Sequence, residues 1–472
     1  MTTTVYDAPQ PPAPATTGAR VRLRSVELFE RPVTLRLPFR FGAATVTRCP
    51  QAFVRVVAEV DGRTAEGATA ELMVPKWFDK NPGLTHEQNF EQLRESLRNA
   101  ADAYGSETSA QSPWQLAIQA GDVAVARGVA RGLPRLVAQF GTAQLDKAVA
   151  DAALRAAGLS WVAGLRAGLL GDPFSAALPL AAPARVALRH TVGLADRITE
   201  AELAAERDAD PRDGLPASLE SAITHDGLHH FKLKLSGRPD ADTERLARIA
   251  ALLDTRAGDY RVTLDGNETF ASAAALGEFW AVFTARPELA GLLARTLLLE
   301  QPLPRAITLQ ESIAHLGIGV PVILDESDDH PGAFERGLSL GYRGISSKAC
   351  KGIYRSLRSA ARVAQEPERL LLSGEDLTCQ AGLAVQQDCA LASSLGVTHI
   401  ERNGHHYVDG FGIAPEAESQ AFAAAHPDLY RPGTRPRLAV RDGRIALASV
   451  HAAPGLGTAV HPRWDSLQTI RD

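Results

Sequence analysis

Three carboxylates and three lysines carry the chemistry this sequence can do. Asp265 follows the run Val262-Thr263-Leu264, Glu300 follows Leu297-Leu298-Leu299, and Asp325 follows Val322-Ile323-Leu324. The three runs lie about one βα unit apart. A single carboxylate at the end of a run reads as readily as a helix N-cap or a turn. Three in phase on successive runs converge, and converging carboxylates repel one another unless a cation stands between them. Oxygen ligands few enough to leave room for water suit Mg²⁺.

The lysines flank that group. Phe231-Lys232-Leu233-Lys234-Leu235-Ser236-Gly237 alternates at period two, which makes a strand with both lysines on one side. Taken alone it is a water-facing edge strand. Lys348, however, follows Ile345-Ser346-Ser347 on the run after Asp325, so basic groups stand on both sides of the carboxylates. This suits removal of the proton next to a substrate carboxylate, with Mg²⁺ stabilising the enediolate. The base must be neutral to accept that proton. Lys232 beside Lys234, together with the metal, is expected to lower the Lys234 pKa.

Parallel strands have to position these residues. From residue 185 onward, short apolar runs at 185–192, 231–235, 260–264, 296–299, 320–324, 344–347, 370–373 and 398–400 alternate with amphipathic helical stretches. Eight such units predict an α/β fold, a (β/α)8 barrel over residues 185–425, with its active site at the C-terminal strand ends. Residues 20–184 read as an α+β capping domain. Its strands lie between 21 and 70, with a hairpin turn at Asp61-Gly62, and its helices begin at a Thr85 cap. The stretch 38–45 reads as a loop carrying Phe39 and Arg40, and 73–78 as a second loop carrying Trp77; both are candidate lids. Residues 426–472 are expected to return to the capping domain, including a hairpin about Arg441-Asp442-Gly443. Residues 1–19, rich in Pro, Thr and Ala, read as a disordered tail and not as a signal peptide.

Composition narrows the class. The 472 residues are 45% hydrophobic and 22% charged, with a net charge of -5. No basic block suggests a nucleic-acid partner, and no run is long enough to predict a membrane span. Cys49, Cys350, Cys379 and Cys389 form no CxxC pair, so a cytoplasmic location is expected.

Together, Lys232-Leu233-Lys234, Asp265-Gly266-Asn267, Glu300-Gln301-Pro302, Asp325-Glu326-Ser327 and Ile345-Ser346-Ser347-Lys348 resemble the enolase superfamily, in its muconate-lactonizing-enzyme-like and mandelate-racemase-like branch. The stretch 145–154 is similar to the helix that closes the family's capping domain. The resemblance implies Mg²⁺ on Asp265, Glu300 and Asp325, and Lys234 and Lys348 as acid and base on opposite faces of the substrate. It implies that Lys232 orients or tunes Lys234. Ser346 stands where relatives carry Asn, and Lys348-Ala349-Cys350-Lys351-Gly352 lacks the usual Gly-Gly. Lys348 rather than Lys351 takes the role, because Lys351 is expected past the strand end.

Asn267, Phe39, Trp77, Glu375, Asn403 and His405 are the candidate substrate contacts. The seventh strand ends at Glu375-Asp376 without a His, which favours a Lys/Lys pair, and the eighth lacks the Asp-x-Asp of dipeptide-acting relatives. His225, His229 and His230 read as structural. The expected activity is that of a racemase, epimerase or acid dehydratase on a small-molecule carboxylate, with cycloisomerisation as the alternative. A metal-dependent hydrolase would gather His-x-His at strand ends, and a binding protein would lack some of the six groups. Barrels of this type often assemble, so a homo-oligomer is compatible with the resemblance.

Overall fold

The computed structural model describes residues 18–206 and 210–471. Most of the expected tail falls outside them. Ala19 is already packed, its N–H bonded to the Leu169 carbonyl at 2.8 Å. β1 (Val21–Phe41), β2 (Ala44–Val60) and β3 (Arg63–Leu72) form an antiparallel sheet. Asp61 and Gly62 both take positive φ, 47° and 82°, as a two-residue hairpin with a right-handed twist requires. The stretch 38–45 is not a loop: β1 and β2 stay paired to Phe41↔Ala44, so Phe39 rides on the tip of a long hairpin arm.

Helices α1 (His86–Gly105), α2 (Pro113–Ala130) and α3 (Arg135–Ala157) cover this sheet. Thr85 caps α1 through a reciprocal capping box with Gln88. α3 is buried along nearly its whole length, as a helix packed on all sides must be. It lies so close to β3 that a Cβ on Gly67 would stand 2.0 Å from the Ala148 carbonyl oxygen.

The barrel follows as β4 (Arg185–Val192), β5 (His230–Lys234), β6 (Arg261–Asp265), β7 (Thr296–Glu300), β8 (Val322–Leu324), β9 (Gly344–Ser347), β10 (Leu371–Gly374) and β11 (His399–Arg402). All neighbours pair in parallel, and β11 pairs with β4 to close the ring. The expected α/β fold, a (β/α)8 barrel beneath an α+β cap, is the fold observed. After a small pair, β12 (Tyr430–Arg431) and β13 (Arg437–Leu438), comes β14 (Arg444–Ala446). The hairpin about Asp442 was expected on the cap. Instead β14 pairs with residues 185–187 of β4, because β4 starts earlier than its barrel neighbours and leaves an edge there. The return to the cap is made further on, where β15 (Gln468–Thr469) adds to β1.

Side chains fasten cap to barrel. Arg31 forms a buried two-pronged bond to Glu418, at 2.7 and 2.8 Å. Arg36 reaches the carbonyls of Leu215, Pro216 and His406 from β1. His461 bridges Glu66 on β3 (2.8 Å) and Asp151 on α3 (3.3 Å). Burial would lower the His461 pKa, but bonds to Asp151 and Glu66 outweigh it and raise it.

Two outcomes follow from this packing. Gly67→Ala forces α3 off the sheet and is expected to cost about 1–3 kcal/mol, read by urea unfolding. The His461 contribution is full below the ordinary histidine pKa of about 6.5 and is lost as pH rises through the raised folded value. His461→Gln is therefore expected to remove that part of the fall in stability toward alkaline pH, measured by melting at stepped pH.

Candidate active site

Strand register places the reactive groups. Lys234, Asp265 and Glu300 are direct register partners across β5, β6 and β7. Glu300 then faces Ile323 on β8, and Leu324 faces Ile345 on β9. Asp325 therefore stands two residues, about 6.6 Å, further along its strand than Glu300. The row of functional groups climbs around the ring because the strands of a closed barrel are staggered.

Four cations and five carboxylates interlock here. Lys232, in register with Thr263, reaches toward the C-terminal strand ends, with its Nζ 2.6 Å from Glu300, 2.7 Å from Glu375, 2.9 Å from Glu401 and 3.0 Å from Asp265. Lys234 Nζ donates to Asp265 Oδ2 at 2.6 Å, and Lys348 Nζ donates to Asp325 Oδ2 at 2.5 Å. Lys351, expected past the strand end, turns back to lie 3.4 Å from Asp325 Oδ1. Asp265, Glu300 and Asp325 have no exposed surface.

Burial lowers the Lys232 pKa, but its carboxylate partners hold it well above the usual range. Lys232 is thus a fixed cation. Burial likewise disfavours charge on Lys348, and Asp325 outweighs it, so this lysine too rests charged. Burial, then the Asp265 and Glu375 carboxylates, push Glu300 well up. Burial and Asp325 push Glu326 up to about 7.

Two aromatic side chains from the cap meet the two outer lysines. The Trp77 ring centroid is 4.5 Å from Lys348 Nζ, and that of Phe39 is 6.0 Å from Lys234 Nζ. Trp77 Nε1 is buried without a hydrogen-bond partner. Asn267, in the left-handed region at φ 42°, donates from its backbone to Asp265 and from its side chain to Glu326. Asn403 donates to Glu401 at 3.2 Å, and its Oδ1 has no partner. Glu375 is not free for substrate: Arg189 and Ser373 take one oxygen and Lys232 the other. His405 lies 3.2 Å from His190 Nδ1. It also lines a cavity of about 370 Å³ beside β12 and β13, whose lining includes none of the four lysines.

A family model described as enolase C-terminal domain-like matches residues 215–464. The chain belongs to the enolase superfamily. Among curated proteins no sequence matches it. Solved structures share its fold throughout. A muconate lactonizing enzyme from Mycobacterium smegmatis, complexed with muconolactone, is 19% identical at a TM-score of 0.61, covering 94% of this chain and 98% of its own. An enolase from Bradyrhizobium, complexed with magnesium and mandelic acid, is 17% identical at 0.60, covering 93% and 96%. A dipeptide epimerase from Cytophaga hutchinsonii, complexed with Mg and D-Ala-L-Val, is 15% identical at 0.60, covering 95% and 98%.

The donor set of this superfamily member fits a hard cation in one respect and resists it in another. Both Glu300 side-chain oxygens are buried and accept no hydrogen bond, the Lys232 contact being poorly directed. A buried carboxyl that accepts no hydrogen bond and shares its one ammonium neighbour with three other carboxylates has room for a further positive ligand. Yet the stagger keeps oxygens of Asp265, Glu300 and Asp325 from all lying within 4.8 Å of one another. The group among the described residues that does so is Asp376, Cys379 and Asp388. Arg402 already pairs with both of those aspartates, so that group needs no ion.

Sequence reasoning missed Glu401, Lys80, Arg305 and Lys351. Glu401 follows the run 398–400 as Asp265 follows Val262-Thr263-Leu264, so the same run-end test finds it. Lys80 and Arg305 carry no such signal. Lys80 reaches from the cap to Glu268 (2.8 Å) and to the Asn267 carbonyl (2.5 Å). Arg305 bonds Glu268 and holds the carbonyls of Trp77 and Phe78, both at 2.8 Å. Glu268 is thus the latch for the Trp77 segment. Arg305→Ala is expected to raise amide exchange across residues 74–84 about tenfold or more, leaving the barrel strands unchanged, as read by hydrogen–deuterium exchange.

Proposed function

We propose that this protein is a Mg²⁺-dependent enzyme that removes the α-proton of a small-molecule carboxylate, as a racemase or epimerase. The observation that carries the reading is the paired arrangement of Lys234 on Asp265 and Lys348 on Asp325, at 2.6 and 2.5 Å. Each outer lysine sits at one end of the carboxylate row and under one aromatic side chain of the cap.

Asp265, Glu300 and Asp325 would hold the ion, once Lys234 and Lys348 release the Oδ2 atoms of Asp265 and Asp325. Mg²⁺ bound there would supply positive charge to the substrate carboxylate as the enediolate forms. The remaining work falls to side chains. One lysine leaves its aspartate, releases its proton to solvent as the site fills, and as a neutral amine takes the α-proton onto Nζ. The other donates a proton from Nζ to the opposite face of the same carbon, which inverts it. Phe39 and Trp77 close over the reacting centre and exclude water, which strengthens each charge interaction inside. Lys232 stays charged throughout, neutralised by Glu375 and Glu401.

The unpartnered Asn403 Oδ1 and Trp77 Nε1 suit a substrate with further polar groups. That favours elimination of water from a hydroxy or sugar acid as the second reading, with cycloisomerisation third. The four cysteines are unpaired and buried, in keeping with a reducing compartment.

Proton NMR in deuterated water with Mg²⁺ tests the reading on hydroxy acids, sugar acids and amino-acid derivatives. Loss of an α-proton signal is expected, abolished by EDTA. Lys234→Ala and Lys348→Ala are each expected to slow turnover by about 10²-fold or more, because each removes a general acid–base. Exchange that survives both substitutions would refute the assignment. A keto product with exchange lost in one variant alone would move it to elimination.

A further inference from the structure

The segment after β9 carries a second buried lysine. Residues Ala349–Lys351 form a single 3-10 turn, and Gly352 follows at φ 105°, a conformation open to glycine. This turn carries Lys351 back under Asp325, where the residue is 4% exposed. Its Nζ lies 2.8 Å from Ser346 Oγ, 3.3 Å from the Asp325 carbonyl, 3.4 Å from Asp325 Oδ1 and 3.3 Å from Asp328 Oδ2.

An ammonium group only donates. Ser346 Oγ accepts from Lys351, so its own proton goes to Asp325 Oδ1, the bond observed. Asp325 Oδ1 is therefore held from behind by Ser346 and Lys351, while Oδ2 faces Lys348. On the barrel's other flank Asp265 also meets an outer and an inner lysine, but Lys234 and Lys232 share its Oδ2, and Oδ1 accepts from the Asn267 backbone N–H.

We infer that Lys351 is a positioning residue for the third carboxylate, aiming Asp325 through Ser346 and weakening the divalent-cation affinity of the site by its charge. The inference rests on the reading of Asp265, Glu300 and Asp325 as Mg²⁺ ligands. Removing a unit positive charge beside a buried ligand outweighs losing one hydrogen bond that orients it, because charge interactions gain strength where water is excluded. Asp328 provides the opposite control. It faces Lys351 and Arg355, away from the reacting lysines, and neutralising it leaves the region more positive.

Calorimetric titration of Mg²⁺ into the metal-free full chain tests this, with melting curves in EDTA to verify folding. Lys351→Met is expected to bind Mg²⁺ about tenfold more tightly than the unsubstituted protein, and Lys351→Arg within about twofold of it. Asp328→Asn is expected to bind more weakly. Equal or weaker binding by folded Lys351→Met overturns the inference while leaving the Mg²⁺ reading intact. If Lys351→Met does not fold, Asp328→Asn decides by its sign, and equal or tighter binding overturns the inference. No Mg²⁺ binding by the unsubstituted protein would overturn the reading and the inference together.

Discussion

A single buried ammonium among four carboxylates is the constraint on which the barrel end depends. Lys232 has 1% of its side chain exposed and touches Asp265, Glu300, Glu375 and Glu401 from four different strands. Removing one member of such a set strands an opposite charge in a medium that cannot solvate it. The strands that deliver those charges must hold register to within a fraction of a residue spacing. A closed parallel ring does this, because every strand has a neighbour on both sides. Arg189 under Glu375 and Thr191 under Glu401 then fix the floor of the network.

The cap depends on the same end of the barrel. Its sheet could pack on α3 alone, yet buried polar bonds from β1 and β3 cross to the barrel, including Arg31 to Glu418 and Gln387 to the Ala68 carbonyl. These bonds set the height at which Phe39 and Trp77 meet the two outer lysines. A cap held only by apolar contact could slide, since hydrophobic burial has no direction. Directional bonds at its rim make the aromatic lid a matter of ångströms.

Much of the fold was legible because it repeats. Eight runs alternating with helices give the barrel, and carboxylates at three successive run ends give the site. What stayed hidden depends on partners far apart in sequence. Lys80 and Arg305 meet only at Glu268, and nothing local distinguishes them from surface cations. Lys351 was set aside because a strand was extrapolated straight, whereas a 3-10 turn and Gly352 fold it back. The hairpin about Asp442 was assigned to the wrong sheet because a pairing pattern says that an edge is sought, not which one. Glu375 was taken as a substrate contact by its strand-end position, and only Arg189, buried below, reveals it as spoken for. Glu401 satisfied the same test and was passed over for its polar neighbours.

The proposed reading gives the outer and inner lysines of each pair different tasks, and charge conservation says why two kinds are needed. On the proposed reading, Lys234 and Lys348 act on substrate only by leaving their aspartates and giving up or taking a proton. A buried aspartate abandoned by its only cation would resist that departure. Lys232 behind Asp265 and Lys351 behind Asp325 keep each carboxylate compensated when the outer lysine moves. On the proposed reading, a monocarboxylate arriving with a divalent ion adds one net positive charge to the closed site. Loss of one proton from an outer lysine returns the site to its resting charge. The arrival of substrate and the generation of a neutral base are then the same electrostatic event. On that reading, a site already balanced by fixed inner lysines makes its base only when it is filled.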